Sequence, residues 1–280
     1  MGHLSALARL VFSQPAGVSL FDLLHRPSRI ERRFTERASM AERANGDLKE
    51  IRINGELLLW PAGMDTDPLL RIAAEQSPKH PHRYDWGNTQ LGSGEVVLDI
   101  GACEGMFSVY AASKGARVIA VEPSVTMSKV IERLFSLRQL PRPTVVGKLI
   151  GLRKEIIHFC EDRTNIAASR ISATAVAGSY PVEVTPLDDL VDSLHLDRLD
   201  FIKCDAEGAD FDIVRGAEGT LRRFRPKIAI TTYHEDDHYR LISEYLRGLG
   251  YHVRGKGFIY VNGVYRVVMI HASPNGRIAD

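Results

Sequence analysis

The stretch DIGACEGMFS, residues 99–108, has the make-up of a ligand turn. Apolar Val96, Val97 and Leu98 run into it, Gly101 and Gly105 punctuate it, and a helical pattern follows. Glycines let a backbone approach a ligand closely, and a helix N-terminus offers free N–H groups. Turns of this kind ordinarily hold phosphate, yet this one carries acid, with Asp99 before it and Glu104 between its glycines. The spacing is not GxGxxG and no Gly-Lys-Ser/Thr follows, so neither the dinucleotide fingerprint nor a P-loop is present. Glu104 would repel a pyrophosphate. The turn suits a ligand with a positive or neutral group beside it and a carboxylate for the N–H groups.

A second acid narrows the ligand. Glu122, followed by Pro123, ends the run VIAVEP. An acid at the end of the second strand of an open α/β sheet accepts both hydroxyls of a ribose. An adenosine without phosphates, carrying an amino-acid end with an ammonium, a carboxylate and a sulfonium, meets both demands: S-adenosylmethionine. The expected cofactor contacts are Asp99, Gly101, Ala102, Cys103, Glu104, Gly105, Glu122 and Pro123, with Gly151 at the close of TVVGKLIG and Asp205 completing the set.

Methyl transfer is an in-line displacement for which the cofactor supplies the activation. The protein must then position the acceptor and take its proton. An alcohol is a poor nucleophile until that proton leaves, so a base or a metal is expected. DAEG offers Asp205 and Glu207 after one strand, and YHED offers His234 and Glu235 after the next. His234 is the expected general base, because an imidazole titrates near neutrality. Asp205 would orient it or hold the acceptor, Glu207 would do the same, and Gly208 leaves room for close approach. The competing structural readings are N-capping of the next helix by Asp205 and Glu207, and a His234 that merely ends a strand. Glu235, Asp236 and Asp237 are explained as first-turn acids of a helix. Mg²⁺ on Asp205, Glu207 or Glu235 is compatible with these residues but is not expected, nor is zinc on His234 and His238. Lys203, inside an apolar strand, either snorkels or meets substrate. Cys103 and Cys204 read as small packing residues.

These residues need elements to hold them. From Glu95 onward EVVLDIG, ARVIAVEP, TVVGKLIG, EIIHFC, PVEVTP, LDFIKCDAEG and KIAITTYH read as strands. MFSVYAASKG, SVTMSKVIERLFSL, ADFDIVRGAEGTLRRF and DDHYRLISEYLRGLG read as helices, and Thr185-Pro186-Leu187-Asp188 as a helix start with Thr185 as N-cap. Continuous apolar strands alternating with helices mean a buried parallel sheet covered on both faces. YHVRG, GFIYVNG and VYRVVMIH close the chain as short strands at an antiparallel edge. Before Glu95, residues 1–45 read as helical, with Leu4, Leu7, Ala8, Val11 and Phe12 on one face. Arg26, Arg29, Arg32, Arg33 and Arg37 follow among glutamates as a solvated face. EIRINGELLLW reads as a hairpin turning at Asn54-Gly55, PAGMDTDPLLRIAAEQSP as a turn and short helix, and KHPHRYDWGNTQLGSG as a loop placed to cover a pocket.

DIGACEGMFS, VIAVEP, PLDDLV, DFIKCDAEGADFDIVRGAEGTLRRFRPKIAI and TTYHE together resemble the FkbM family of S-adenosylmethionine-dependent methyltransferases over residues 90–255. The most specific part is the run KxDxEGxxxxxxxGA with PLDDL upstream. The resemblance implies a Rossmann-like class I methyltransferase fold: a mostly parallel seven-stranded sheet with an antiparallel edge strand, helices on both faces, and here an N-terminal helical/β extension. It implies an O-methyltransferase acting on hydroxyls of small molecules or glycans. Gly101, Gly105 and Glu122 match the family's cofactor positions, while Cys103 stands where a small polar residue, often Asn, is usual. Residues 1–90 match no family and are expected to act as lid, acceptor surface or dimer surface. Residues 91–272 form the methyltransferase domain, and 273–280 a tail. N- or carboxyl-methylation on the same fold, or cofactor binding without catalysis, are the alternatives.

The remaining composition is ordinary. The 280 residues carry 36 Lys+Arg against 35 Asp+Glu, a net charge of +1 that gives no reason to expect nucleic acid as partner. No apolar run is long enough to span a membrane, and no signal peptide is read. Cys103, Cys160 and Cys204 make no disulfide framework, so a cytoplasmic compartment is expected.

Overall fold

The computed structural model of the chain describes residues 27–162, 164, 169–261 and 263–274. The apolar face at Leu4–Phe12, and Arg26, lie outside these residues. The described chain opens with helix α1 (Pro27–Thr35) and an antiparallel sheet of β1 (Met40–Asn45), β2 (Leu48–Ile53) and β3 (Glu56–Pro61). Strand β1 corrects the expectation of helix through residue 45. MAERAN is exposed throughout, and its backbone is instead paired with β2, Met40 against Ile53 and Asn45 against Leu48. Tertiary pairing has overridden a helical propensity, and Gly46 at φ +67° makes the turn. The hairpin of β2 and β3 turns at Asn54-Gly55 as expected. Helix α2 (Asp67–Glu75) follows, then a loop to residue 95 containing one short 3₁₀ turn, Gly87–Thr89.

The central sheet begins with β4 (Val96–Ile100), α3 (Met106–Ser113), β5 (Arg117–Val121), α4 (Val125–Leu137) and β6 (Thr144–Val146). TVVGKLIG, read as one strand, divides at Gly147-Lys148. Its second half, β7 (Leu149–Gly151), joins a separate four-stranded sheet with β8 (Glu155–Cys160), β9 (Arg170–Ser172) and β10 (Tyr180–Pro186), in the order β7-β10-β8-β9. Helix α5 (Leu187–Ser193) and strand β11 (Phe201–Cys204) lead back to the central sheet. ADFDIVRGAEGTLRRF, read as one helix, breaks at Gly216-Ala217 into α6 (Asp210–Arg215) and α7 (Glu218–Phe224). Strand β12 (Lys227–Thr231) and helix α8 (His238–Gly248) follow. The expected short closing strands are one long hairpin, β13 (His252–Val261) with β14 (Val264–Ser273).

The seven-stranded order is β13-β14-β12-β11-β4-β5-β6, and the reversed strand, β14, lies antiparallel to both its neighbours. All five residues of VVLDI are buried, and successive side chains serve opposite faces. Val97 joins a core with Phe107, Met127, Leu134 and Phe201, to which the N-terminal sheet adds Ile51, Leu59 and Trp60. Leu98 and Ile100 join the other core with Leu187, Ile213, Leu221, Ile242 and Leu246. The N-terminal sheet thus covers the α3/α4 face and shares its core. No helix among the described residues is long and apolar enough to cross a membrane.

Candidate active site

The register of the sheet decides what meets at its carboxyl edge. Ile100 pairs with Val121 on one side and Cys204 on the other, and Cys204 pairs with Ile230. The residues after β4, β5, β11 and β12 therefore leave the sheet side by side.

The turn after β4 is built on positive φ: Gly101 at +70°, Cys103 at +47° and Gly105 at +80°. A Cβ on Gly101 would lie 2.0 Å from the Asp205 carbonyl oxygen, and one on Gly105 2.9 Å from Ile131 Cγ1. Gly101 and Ala102 donate their N–H groups to the Val121 carbonyl, tying the turn to β5. Glu122 accepts from the N–H of Cys103 and of Ser124, each at 2.8 Å. It is buried, and burial pushes its carboxyl up to about 7 against the pull of those donors. Glu104 is also buried, and burial raises its carboxyl too. The Pro123 carbonyl accepts from the Tyr180 hydroxyl at 3.2 Å.

Asp99 is wholly buried and faces inward. Its Oδ1 lies 3.0 Å from Lys203 Nζ, and its Oδ2 accepts from Ser108 Oγ at 2.7 Å. Lys203 neither snorkels nor reaches toward an acceptor. Its ammonium donates to the Gly101 carbonyl at 2.5 Å and bolts the turn to β11 from beneath. Burial alone would discharge it, but Asp99 and Asp205 outweigh burial and hold its pKa above the ordinary value.

Asp205, Glu207 and His234 converge above this floor. His234 Nε2 lies 3.7 Å from Asp205 Oδ1 and 3.4 Å from Glu207 Oε2, and makes no hydrogen bond. The other ring nitrogen, Nδ1, donates to Asp210 Oδ2 at 3.2 Å. Arg266 holds the segment by donating to the Tyr233 and His234 carbonyls at 2.7 and 2.9 Å. Burial opposes a charge on the ring, but the Asp210 bond and the carboxylates of Asp205, Asp210 and Glu207 prevail and raise its pKa above 6.5. Asp205 itself is held below the usual carboxylate range: burial is overcome by Lys203, His82, His234 and the Tyr84 hydroxyl. The Tyr84 hydroxyl donates to Asp205 Oδ2 at 2.8 Å, and Thr231 Oγ1 donates to Oδ1 at 3.0 Å. Ligand atoms of Asp205, Glu207 and His234 all lie within 4.8 Å of one another, a spacing a single divalent ion would accept.

With this geometry established, comparison with known proteins is decisive. A model of the methyltransferase FkbM domain matches residues 99–253, from the head of the glycine turn into β13. The chain belongs to the FkbM methyltransferase family. Its sheet is the Rossmann-like class I methyltransferase arrangement. A solved FkbM methyltransferase from Methylobacillus flagellatus KT is 18% identical, with a TM-score of 0.48 over 75% of this chain and 56% of that one. The chain thus spans little more than half of that relative. A precorrin-6y C5,15-methyltransferase from Geobacter metallireducens GS-15 is 21% identical (TM-score 0.38; 65% and 82% covered). Trm5b from Pyrococcus abyssi is 16% identical (TM-score 0.43; 84% and 63% covered). No curated protein matches.

The FkbM signature divides into two parts in space. Lys203, Asp205, Glu207 and Gly208 belong to the site. Gly216 does not: a Cβ there would lie 2.4 Å from the Gly151 carbonyl, so Gly216 serves close packing of α6 on β7. Gly151 accordingly stands in the second sheet, packed against Val184 and Gly216, apart from the turn after β4 that it was expected to join. Thr185 does not cap α5, because it remains in β10 and Pro186 takes the cap position. Asp188 instead accepts the N–H groups of Gly219 and Thr220, at 2.8 and 2.6 Å, at the start of α7.

No side chain caps the N-terminus of α6, neither that of Asp205 nor that of Glu207, and the carboxylate that ties down the loop before the helix is that of Asp210. This wholly buried carboxylate accepts the N–H groups of Ala206 and Gly208 at 3.1 and 3.2 Å, which leaves Asp205 free to face His234. Asp210 was not singled out in the sequence. The available signal was an acid in register with Ile213, Val214 and Ala217, on the apolar stripe of a helix. Tyr84 was likewise unnamed, although the loop that carries it was expected to cover a pocket. His238 opens α8 and turns toward Asp210 (Nδ1–Oδ2 3.9 Å), outside the Asp205–Glu207–His234 group. Cys103, Cys160 and Cys204 are free thiols, and Cys204 is buried.

Proposed function

We propose that the chain transfers the methyl group of S-adenosylmethionine to a hydroxyl of a small molecule or glycan, with His234 as general base. The observation that carries this reading is the His234 ring, anchored at Nδ1 by a buried carboxylate while Nε2 is presented without a partner beside Asp205 and Glu207. The cofactor's sulfonium supplies the activated methyl when bound. The residues present suit that group. Each Glu122 oxygen accepts a single N–H in the structure and retains a lone pair for a ribose hydroxyl. The positive-φ turn brings its backbone to the cleft without a Cβ, and the acids of the site favour an ammonium over a phosphate.

The chain's own residues then act in sequence. Asp205, ionised and held by Tyr84 and Thr231, accepts a hydrogen bond from the acceptor and aligns its oxygen. The Asp210 bond fixes the proton of His234 on Nδ1, so the neutral ring offers Nε2 to the departing acceptor proton. His82 and Tyr84, both before residue 91, border Asp205, which supports the reading of residues 1–90 as partly a lid over a domain at 91–272. The three free cysteines support a reducing, cytoplasmic compartment. Titration calorimetry with S-adenosylmethionine, followed by a screen of hydroxylated acceptors for methyl transfer, tests the proposal. Absence of cofactor binding refutes it. Transfer to amines or carboxylates alone would preserve the cofactor half and remove the hydroxyl.

A further inference from the structure

One cavity lies away from the carboxyl edge. It has a volume of about 510 Å³ and sits between the N-terminal region and the outer face of α3. Its walls are Phe34, Ile53, Leu58, Met106, Val109 and the Tyr110 ring. Met106, Val109, Tyr110 and Ser113 fall at helical spacing, so α3 gives one face to the sheet and this other face to the recess. Interiors pack close, and a mainly apolar recess of this size is in the range of sites for small organic ligands.

Two guanidinium groups reach the cavity, and they differ. Arg83 is committed: it donates to Tyr110 Oη at 2.6 Å and to the Gln76 carbonyl, and lies 3.7 Å from Asp85. Arg138 lies at the rim. Its carboxylate partner at 2.6 Å, Glu56, is 70% exposed, whereas Arg138 itself is 26% exposed. An ion pair with so exposed a partner is worth little and exchanges readily. Arg138 Nη1 also donates to the Leu57 carbonyl at 3.4 Å, a contact that does not depend on Glu56. The recess thus offers one apolar chamber and one exchangeable cation.

We propose that this cavity binds an amphipathic acid, an aliphatic body in the chamber with a single carboxylate on Arg138 in place of Glu56. The site is separate from the transfer chemistry. The loop between them sends Arg83 to the cavity and its neighbour Tyr84 to Asp205.

Sodium dodecanoate, titrated calorimetrically into the full chain below its micellar concentration, is the test. One molecule should bind per chain. Val109→Trp, which fills the chamber, should abolish binding. Arg138→Gln should weaken it about tenfold, the worth of one charged hydrogen bond at a partly exposed site. Glu56→Gln, which removes the competing carboxylate, should tighten it about threefold. Dodecyltrimethylammonium, with the same chain and the opposite charge, should bind at least tenfold more weakly. Failure of dodecanoate to bind, equal binding by the Val109→Trp protein, or equal affinity for the ammonium would each overturn the proposal. If Val109→Trp does not fold, the opposite shifts of Arg138→Gln and Glu56→Gln decide. S-adenosylmethionine titrated into the same proteins keeps the two readings apart, because its failure to bind leaves the dodecanoate result standing.

Discussion

The two halves of the carboxyl edge handle charge in opposite ways. On the side of the glycine turn two carboxylates have fixed partners: Asp99 has Lys203 and Ser108, and Glu122 has two backbone N–H groups. On the side of His234, Asp205 and Glu207 face a histidine nitrogen that makes no hydrogen bond, and Glu207 is mostly exposed. The first arrangement is set by neighbouring strands of the sheet, with β11 supplying Lys203 to Asp99 and β5 leading into Glu122 beside the turn after β4. The second is assembled from β11, α6, β12 and the N-terminal loop. One half is rigidly paired, and the other leaves a ring nitrogen with its hydrogen-bonding capacity unused.

The largest effect should come from breaking the rigid half. Gly101→Ala places a methyl group 2.0 Å from the Asp205 carbonyl at a φ that L residues avoid. It should cost about 3 kcal/mol or more and abolish cofactor binding, read by thermal unfolding and calorimetry. Next, His234→Ala should lower turnover roughly 10²–10⁴-fold while S-adenosylmethionine affinity stays within about twofold. A comparable loss of affinity would mean that the two halves are not separable.

Asp210→Asn tests orientation and pH together. A base works when neutral, so the wild-type rate should rise with pH through a value above 6.5 and then level off. Removing the Asp210 charge weakens its hydrogen bond to Nδ1, the largest of the influences raising that pKa, and should move the rise to lower pH and cut the plateau about tenfold. A profile that does not move would leave His234 oriented by something else.

Glu122 gives a smaller effect of opposite origin. Its folded pKa of about 7 exceeds the 4.5 of the free side chain, so the folded form binds the proton more tightly. Its contribution to stability is fully present below 4.5 and is lost as pH rises through about 7. Ribose hydroxyls donate to the ionised form, so cofactor affinity should climb between pH 6 and 7 and level off above, with proton release in calorimetry. Glu122→Gln should flatten that dependence. Smallest of all, chelation with EDTA should leave turnover within about twofold, because His234 rather than a bound ion takes the proton. Loss of activity restored by Mg²⁺ would make Asp205, Glu207 and His234 metal ligands instead.

What could be read from the chain follows the same division. VVLDI, RVIAV, FIKC and KIAIT are apolar at all but one or two positions, so burial in a parallel sheet was legible, as was the glycine turn with its acid at Glu122. MAERAN was not legible as a strand, because its pairing partner and not its composition makes it one. The breaks at Gly147 and Gly216 were hidden because each interrupts a pattern that continues on either side. Lys203 looked anomalous because its counter-ion, Asp99, lies on the neighbouring strand, more than a hundred residues earlier. Asp210 and Tyr84 escaped notice for the same reason: their meaning is their partners, His234 and Asp205, which only the fold supplies.

Asp188 carries a consequence for how the family is recognised. The two oxygens of this PLDDL residue seat the start of α7, and its own N–H is given to the Gly216 carbonyl just before that helix. Part of the FkbM signature is therefore a joint in the frame, while Asp205 and Glu207 of the same signature stand at the candidate site. The joint ties α5 to the turn between α6 and α7, the two helices that separate the strands ending in Asp205 and His234. It is a mounting for those strands, set apart from the side chains gathered at their ends.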